Sequence, residues 1–374
     1  MAGIYLHIPF CKQACTYCNF HFTTSLRYKN ELVTAIVKEI ELQKDFLKGD
    51  PIATIYFGGG TPSLLTAGEC GLILRKIRKE FIVESGAEIT LEANPDDITR
   101  EKLLAWKEIG INRLSIGIQS FFEEDLVWMN RAHNQGQAHQ CIQESLEAGF
   151  QNMSIDLIYG SPLLTDEQWE KNVNTAINYK IPHLSCYALT LEEKTPLHKQ
   201  ILLKKGVDID PDKQARHFLL LMQWLKQKGY EHYEVSNFAK PGFRSRHNSS
   251  YWEGKKYLGL GPSAHSYDGI SRSWNIANNT KYIEAINNGI LEGETEMLTE
   301  TQKLNEYIMI SLRTMEGLDL DKLKTIWGED KVKTMETKLS LFKNNNLLHQ
   351  KGGIVQLTDD GMLMADGIAS DLFA

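Results

Sequence analysis

From residue 2 to about residue 190 the chain alternates two hydrophobic rhythms. Short runs rich in β-branched and apolar residues, GIYLHI, IATIYFGG, AEITLEAN, NRLSIGIQ, NMSIDLIYG and PHLSCYALT, read as strands. Between them, stretches such as NELVTAIVKEIELQKDFL and CGLILRKIRKEFI place apolar residues three and four apart, the spacing of a helix with one buried face. Strands that alternate with helices predict parallel βα units. Six such units fit an open doubly wound sheet or part of a barrel, and periodicity alone does not choose. The polar residues are more telling. Cys11 follows the first strand, Gly58–Gly60 the second, Glu92–Asn94 the third, Gln119 the fourth and Asp156 the fifth. Polar groups collected at the carboxyl ends of parallel strands are what a barrel-mouth site requires. No G-x-G-x-x-G follows the first strand, which weighs against a dinucleotide-binding fold.

The rhythm changes after residue 190. PDKQARHFLLLMQWLKQKGY predicts a helix and YEHYEVSNFAK one extended strand, followed by an irregular Gly- and Ser-rich stretch from Pro241 to Asn279. From Thr299 the chain reads as helices, TETQKLNEYIMISLRTMEG and EDKVKTMETKLSLFKNNN, then a strand, a Gly-Gly turn and a strand in LLHQKGGIVQLTDDG. Three segments are expected: residues 1–190 as a βα unit, 191–298 as an α+β extension, and 299–374 as a small helical, winged-helix-like domain.

Composition narrows the class. With 374 residues, 42% of them apolar, the chain can bury a large core as one domain or two to three smaller ones. A formal net charge of −7 offers nothing to nucleic acid or to an anionic membrane surface. No apolar run approaches the roughly 20 residues that span a bilayer. The opening MAGIYLHIPF lacks the basic region and cleavage site of a signal peptide, so a cytosolic protein is expected. In that compartment thiols stay reduced, and clustered cysteines point to metal or redox chemistry.

One cluster fits that description. Cys11, Cys15 and Cys18 lie together in PFCKQACTYCNF, while Cys70, Cys141 and Cys186 sit inside apolar runs and read as core residues. Zinc could be completed by His7 or His21. The offsets 0, 4 and 7 also fit one helix face, although Pro9 and the aromatic-rich TYCNFHF favour a loop. A [4Fe–4S] cluster normally takes four thiolates, one per iron. With three, one iron stays open for chemistry.

The C-x3-C-x2-C spacing resembles the radical S-adenosylmethionine (SAM) family. There the loop after the first strand of a partial (β/α)6 TIM-like barrel holds three irons, and SAM chelates the fourth. The cluster's electron cleaves SAM to methionine and a carbon radical. YFGGGTPS resembles that family's glycine-rich segment, where glycines let backbone acceptors approach the methionine ammonium. IYLHIPFC, LEANPDD, RLSIGIQSF, NRAHN and SIDLIYGSP are similar to the coproporphyrinogen dehydrogenase-like branch, which holds oxygen-independent coproporphyrinogen III oxidases and haem chaperones. The resemblance implies SAM contacts from Tyr5, Tyr17, Gly59, Gly60, Thr61, Glu92, Gln119, Arg131 and Asp156. It also implies a reductant such as flavodoxin or ferredoxin.

Two departures set the chain apart from the oxidases. They carry a further cysteine two residues beyond the third ligand, where Phe20 stands here, and a long N-terminal extension, whereas here the first ligand is residue 11. HNSSYW, from His247 to Trp252, instead matches the H-N-x-x-Y-W motif of the chaperone group, HemW. That match implies His247 as a ligand to haem iron, with haem as cargo for an acceptor protein and Arg244 or Arg246 near its propionates. The competing expectations are an oxidase that decarboxylates propionate side chains and a zinc-binding structural protein.

Overall fold

The structure, a computed structural model, describes residues 1–203 and 208–374. The chain opens with β1 (Ala2–Ile8), α1 (Lys29–Leu42), β2 (Ile52–Gly59), α2 (Ala67–Glu80), β3 (Val83–Ala93) and α3 (Arg100–Ile109). It continues through β4 (Arg113–Gln119), α4 (Glu123–Trp128), α5 (Gln135–Glu147), β5 (Met153–Tyr159), α6 (Asp166–Asn178), β6 (His183–Ala188) and α7 (Pro196–Leu202). Next come α8 (Pro211–Gln227), β7 (Glu231–Glu234), β8 (Asn237–Ala239), α9 (Arg246–Trp252), β9 (Tyr257–Leu260), β10 (His265–Tyr267) and β11 (Ser271–Asn275). The last part holds α10 (Asn279–Asn287), β12 (Gly293–Met297), α11 (Glu300–Leu312), β13 (Leu318–Asp319), α12 (Leu320–Trp327) and α13 (Glu329–Asn344). It ends with β14 (Leu348–Lys351), β15 (Ile354–Leu357), α14 (Asp359–Leu363) and α15 (Ala365–Leu372).

β1 to β6 lie side by side in sequence order, all parallel. β1 pairs with β2 on one edge and β9 on the other, so β6 does not close onto it. The result is an open, partial (β/α)6 barrel. Strand pleating sorts its side chains. Ile4, Leu6 and Ile8 are fully buried on one face of β1, while Gly3, Tyr5 and His7 alternate with them. The helices start where their sequences say. Thr66 with Glu69, Asn134 with Gln137 and Thr165 with Gln168 form capping boxes that satisfy the first free amides of α2, α5 and α6.

Several expectations shift. The helix predicted to run through Phe46 and Leu47 stops at Leu42 and gives way to tight turns, with the Lys44 amide donating to Glu41 O and the Phe46 amide to Gln43 O, before the chain reverses through Lys48 and Gly49 at φ of 53° and 82°. YEHYEVSNFAK folds as a hairpin, with Glu231 opposite Ala239 and His232 opposite Phe238. The stretch 241–279, read as irregular, contains α9 and three strands. β9 runs parallel to β1, and β10, β11 and β12 follow antiparallel. Packing groups residues 1–210 with 245–297, and 211–244 with 298–374. In the second unit Leu304, Ile308, Leu312, Leu323, Leu339, Val355 and Ile368 form a core of helices against the sheet β13-β15-β14. Among the described residues no helix is long and apolar enough to cross a membrane.

Candidate functional site

The three cysteines sit in a loop, not on a helix, between β1 and α1. The loop is closed at its neck, where the Cys11 amide donates to the Thr23 carbonyl at 3.0 Å and the Thr23 amide to Pro9 at 2.8 Å. Its far side is pinned by the chain after α4. The Thr16 amide donates to Met129 O at 3.1 Å, and the Asn130 side chain donates to Ala14 O at 2.7 Å. Lys12 pairs with Asp96 at 2.7 Å. All three thiols are free and half-buried. Burial lifts Cys11 to about 11 and raises Cys18, favouring the thiol form of both.

Side chains from two other loops reach the sulfurs. Thr61, buried just after β2, donates to Cys11 Sγ at 3.5 Å. Arg131 donates through Nη1 to Cys15 Sγ at 3.3 Å and through Nη2 to Asn94 Oδ1 and Gly117 O, each at 2.8 Å. Its Nε is buried and has no hydrogen-bond partner among the described residues. Asn94 also donates to Thr61 Oγ1 at 3.2 Å, linking the two thiol partners. A Cβ at Gly117 would meet Arg131 Nη2 at 3.2 Å, so the glycine leaves room for the guanidinium. Asn94 and Gly117 were not among the expected site residues; both lie in motifs singled out on other grounds.

The glycine triplet packs on the protein itself. A Cβ on Gly60 would lie 2.7 Å from Phe10 O, and one on Gly59, at φ +110°, 2.8 Å from the His7 ring. The triplet thus presses the end of β2 onto the root of the cysteine loop. Glu92 lies behind it, accepting from Tyr56 OH at 2.8 Å and from the Gly59 amide at 3.2 Å. Burial, with the Asp156 charge acting the same way, pushes Glu92 up to about 8. Burial raises Asp156 to about 6 against a Ser185 hydrogen bond and the Arg113 and Arg131 charges. Two carboxyls that burial makes reluctant to ionise face a site suited to a cationic ligand.

The remaining expected residues divide. Tyr5 lies beside Tyr56, ring centroids 6.2 Å apart, with its OH 3.3 Å from His7 Nδ1. Tyr17 packs against Leu126, Met129, Ile158, Leu189 and Leu197. Gln119 ends β4 at φ +67°, a left-handed conformation unusual for a side-chain-bearing residue, at a break in the β4–β5 register.

His247 stands apart. It is 1% exposed in α9, with Nδ1 2.8 Å from Thr54 Oγ1 and Nε2 2.9 Å from Tyr251 OH. Its ring stacks on Tyr56 at 5.0 Å. Each ring nitrogen thus bonds a hydroxyl, and ligating iron would require one of those bonds to be exchanged. The propionate partners are occupied too. Arg244 binds Glu231 and Glu316, and Arg246 donates to Gly86 O at 2.6 Å.

The donor set fits a cubane better than a single ion. Among the described residues no three His, Cys, Asp or Glu side chains gather round one point, as zinc would require. A cube takes one thiolate per iron, so its ligands stay apart. Three half-buried thiols lie in the loop, and beside them the buried Nε of Arg131 has no partner among the described residues.

Residues 5–176 match the Radical SAM superfamily, and residues 298–364 match the HemN C-terminal domain. The protein named heme chaperone HemW of Mycobacterium tuberculosis is 32% identical, over 99% of this chain and 94% of its own length. That of Bacillus subtilis is 32% identical, over 98% of each. The solved coproporphyrinogen III oxidase HemN of Escherichia coli superposes with a TM-score of 0.86 over 100% of this chain and 90% of its own, at 23% identity, a likeness of fold. With two relatives above 30% identity along almost its whole length, the chain belongs to the radical SAM superfamily, in the HemW family.

Proposed function

We propose that this chain is a haem chaperone that carries a [4Fe–4S] cluster and SAM at the mouth of its open barrel, binds haem and hands it to an acceptor protein. The superfamily implies the cluster and SAM. In this reading Cys11, Cys15 and Cys18 each hold one iron, and the fourth iron is left to SAM. Gly59, Gly60 and Thr61 line the methionine part, Arg131 meets its carboxylate, and Glu92, Gln119 and Asp156 take the ammonium and ribose. Tyr5 and Tyr17 flank the cofactor. When bound, the group supplies one-electron reduction; the chain's own residues hold it, exclude water and set its charge surroundings. The setting is cytosolic, where thiols stay reduced.

The observation that carries the reading is an intact cofactor mouth combined with Phe20, 66% exposed, at the position where the related oxidases carry a further cysteine. The test uses the full chain, loaded with iron and sulfide without oxygen. Ferric haem (hemin) should bind saturably with a Soret shift and move to an apo-haem protein. Coproporphyrinogen III under strong reductant should be returned unchanged. No saturable shift, or robust decarboxylated product, would overturn the proposal.

A further inference from the structure

The sheet continues past β1, and so does its inner face. Tyr56 of β2 pairs with Tyr5 of β1, and Tyr5 with Gly259 of β9. Gly259 lies against His265 of β10, so closely that a Cβ there would meet the His265 carbonyl at 2.0 Å. His265 in turn pairs across strands with Trp274 of β11. One row therefore runs from the floor of the cysteine site to His265 and Trp274. Two strand spacings separate Tyr5 from His265, on the order of 10 Å.

His265 differs from the other histidines of this region. It is exposed, whereas His7 and His247 are buried. His7 Nε2 lies 2.9 Å from His21 O, and His21 Nε2 lies 2.8 Å from Asn279. Among the described residues, no hydrogen bond engages the ring nitrogens of His265; its contact is a stack on Trp274, centroids 5.8 Å apart at 29°. Burial and the nearby Arg272 charge both lower its pKa, which keeps the imidazole neutral at ordinary pH with a lone pair available.

The surroundings are built for a flat apolar group. Half-buried Tyr257 and Tyr267 pair on the same strands, their centroids 6.3 Å apart, with Tyr251 edge-on to Tyr257 at 4.6 Å. His265 is presented by a strained turn. Gly261 and Ser263 have φ of +97° and +64°, and a Cβ on Gly261 would lie 2.5 Å from His7 O. Such strain persists where the surrounding structure enforces it, often at ligand sites. The turn is thus wedged against β1 beside the cysteine loop, fixing His265 relative to the cofactor mouth.

We propose that haem docks on the open face of β9–β11, with His265 as the ligand to its iron and Trp274 against the porphyrin. This rests on the haem-chaperone reading and replaces His247 as the iron ligand. HNSSYW then acts from below, Tyr251 supporting Tyr257 and His247 fastening α9 to β2.

Hemin is the probe, titrated into the cluster-loaded full chain. In His265→Ala its affinity should fall about tenfold or more, and the Soret and EPR signature of imidazole ligation should vanish, returning when free imidazole is added. Trp274→Ala should weaken binding while keeping that signature. His247→Gln, checked for folding by circular dichroism, should keep it as well. Hemin binding by His265→Ala that matches wild type in affinity and spectrum would overturn the assignment and leave the chaperone reading standing. So would loss of the signature in folded His247→Gln alone. Wild type that takes up no hemin would remove both.

Discussion

Glu92 is the group whose charge should change when the cofactor arrives. Burial pushes it up to about 8 in the cofactor-free protein, with Asp156 adding repulsion, while Tyr56 OH and the Gly59 amide oppose the shift only in part. At pH 7 such a group is about nine-tenths protonated. SAM brings a sulfonium and an ammonium, which favour the carboxylate. Binding at pH 7 should therefore expel close to one proton from Glu92, falling to about a tenth of a proton by pH 9. Asp156, raised to about 6, is already about nine-tenths ionised at pH 7 and adds about a tenth. Calorimetric titration of SAM into cluster-loaded protein, in buffers of differing ionisation enthalpy, counts these protons directly. The Glu92→Gln variant should bind with almost no buffer dependence. A wild-type slope near zero, or an unchanged slope in Glu92→Gln, would refute the reasoning.

The same shift fixes a stability trend. A carboxyl at about 8 in the fold, against 4.5 in the unfolded chain, contributes stability fully below pH 4.5 and loses it as pH rises through 8. Each pKa unit corresponds to about 1.4 kcal/mol, and a half-buried group realises part of that, so on the order of 2–3 kcal/mol should disappear from the cofactor-free protein between pH 5 and 9. Denaturant midpoints across that range should fall for wild type and stay flatter for Glu92→Gln.

Further consequences are equally direct. Gly60→Ala puts a methyl group 2.7 Å from Phe10 O and 2.9 Å from Ile8 O, backbone that cannot step aside. It should lower stability by about 2–4 kcal/mol in urea melts and halve iron loading or worse. Arg131→Met strands the half-buried acceptors Asn94 Oδ1 and Gly117 O, so about 1–3 kcal/mol of stability and at least about tenfold in SAM affinity should be lost. Arg131→Lys should not restore affinity, because an ammonium cannot reproduce the fork. Glu39 is a buried carboxyl accepting from the Gly261 amide at 2.8 Å, the Asn275 side chain at 2.7 Å and Tyr282 OH at 2.5 Å. Glu39→Ala should cost about 3 kcal/mol in thermal melts, and Glu39→Gln far less, since an acceptor remains.

What the sequence reveals and what it hides follow from how far apart the cooperating residues lie. β1 to β6 announce themselves because each carries its own alternation, and parallel pairing then aligns whatever polar residue ends each strand. Thr61, Glu92, Gln119 and Asp156 become visible by position alone. The bonds that assemble them do not. Arg131 reaches Cys15 across 116 residues, through a gap that exists because Gly117 lacks a side chain. β9 to β11 are hidden for another reason. At three to five residues each, they hold no convincing pattern and exist as strands by pairing onto the free edge of β1 and then onto one another. A stretch that looks like glycine- and serine-rich loop is in fact the sheet's extension.

The histidines carry that lesson into function. A motif names a residue without saying whether its lone pair is free, and HNSSYW names His247. Packing decides otherwise, because Thr54, 193 residues away, takes one ring nitrogen and Tyr251 the other. Moving His247 onto iron would break at least one of these bonds, at about 1 kcal/mol. Ligation through Nδ1 would also leave the Thr54 hydroxyl buried without a partner, at about 1–3 kcal/mol more. His265 faces neither penalty, since its ring is already exposed and stacked on the indole that would back the porphyrin. A difference of about 1–4 kcal/mol amounts to about fivefold to several-hundredfold in occupancy. On the proposed assignment, haem with a choice between the two imidazoles would therefore favour the strand that has no motif, and the motif would serve it by fastening α9 to β2.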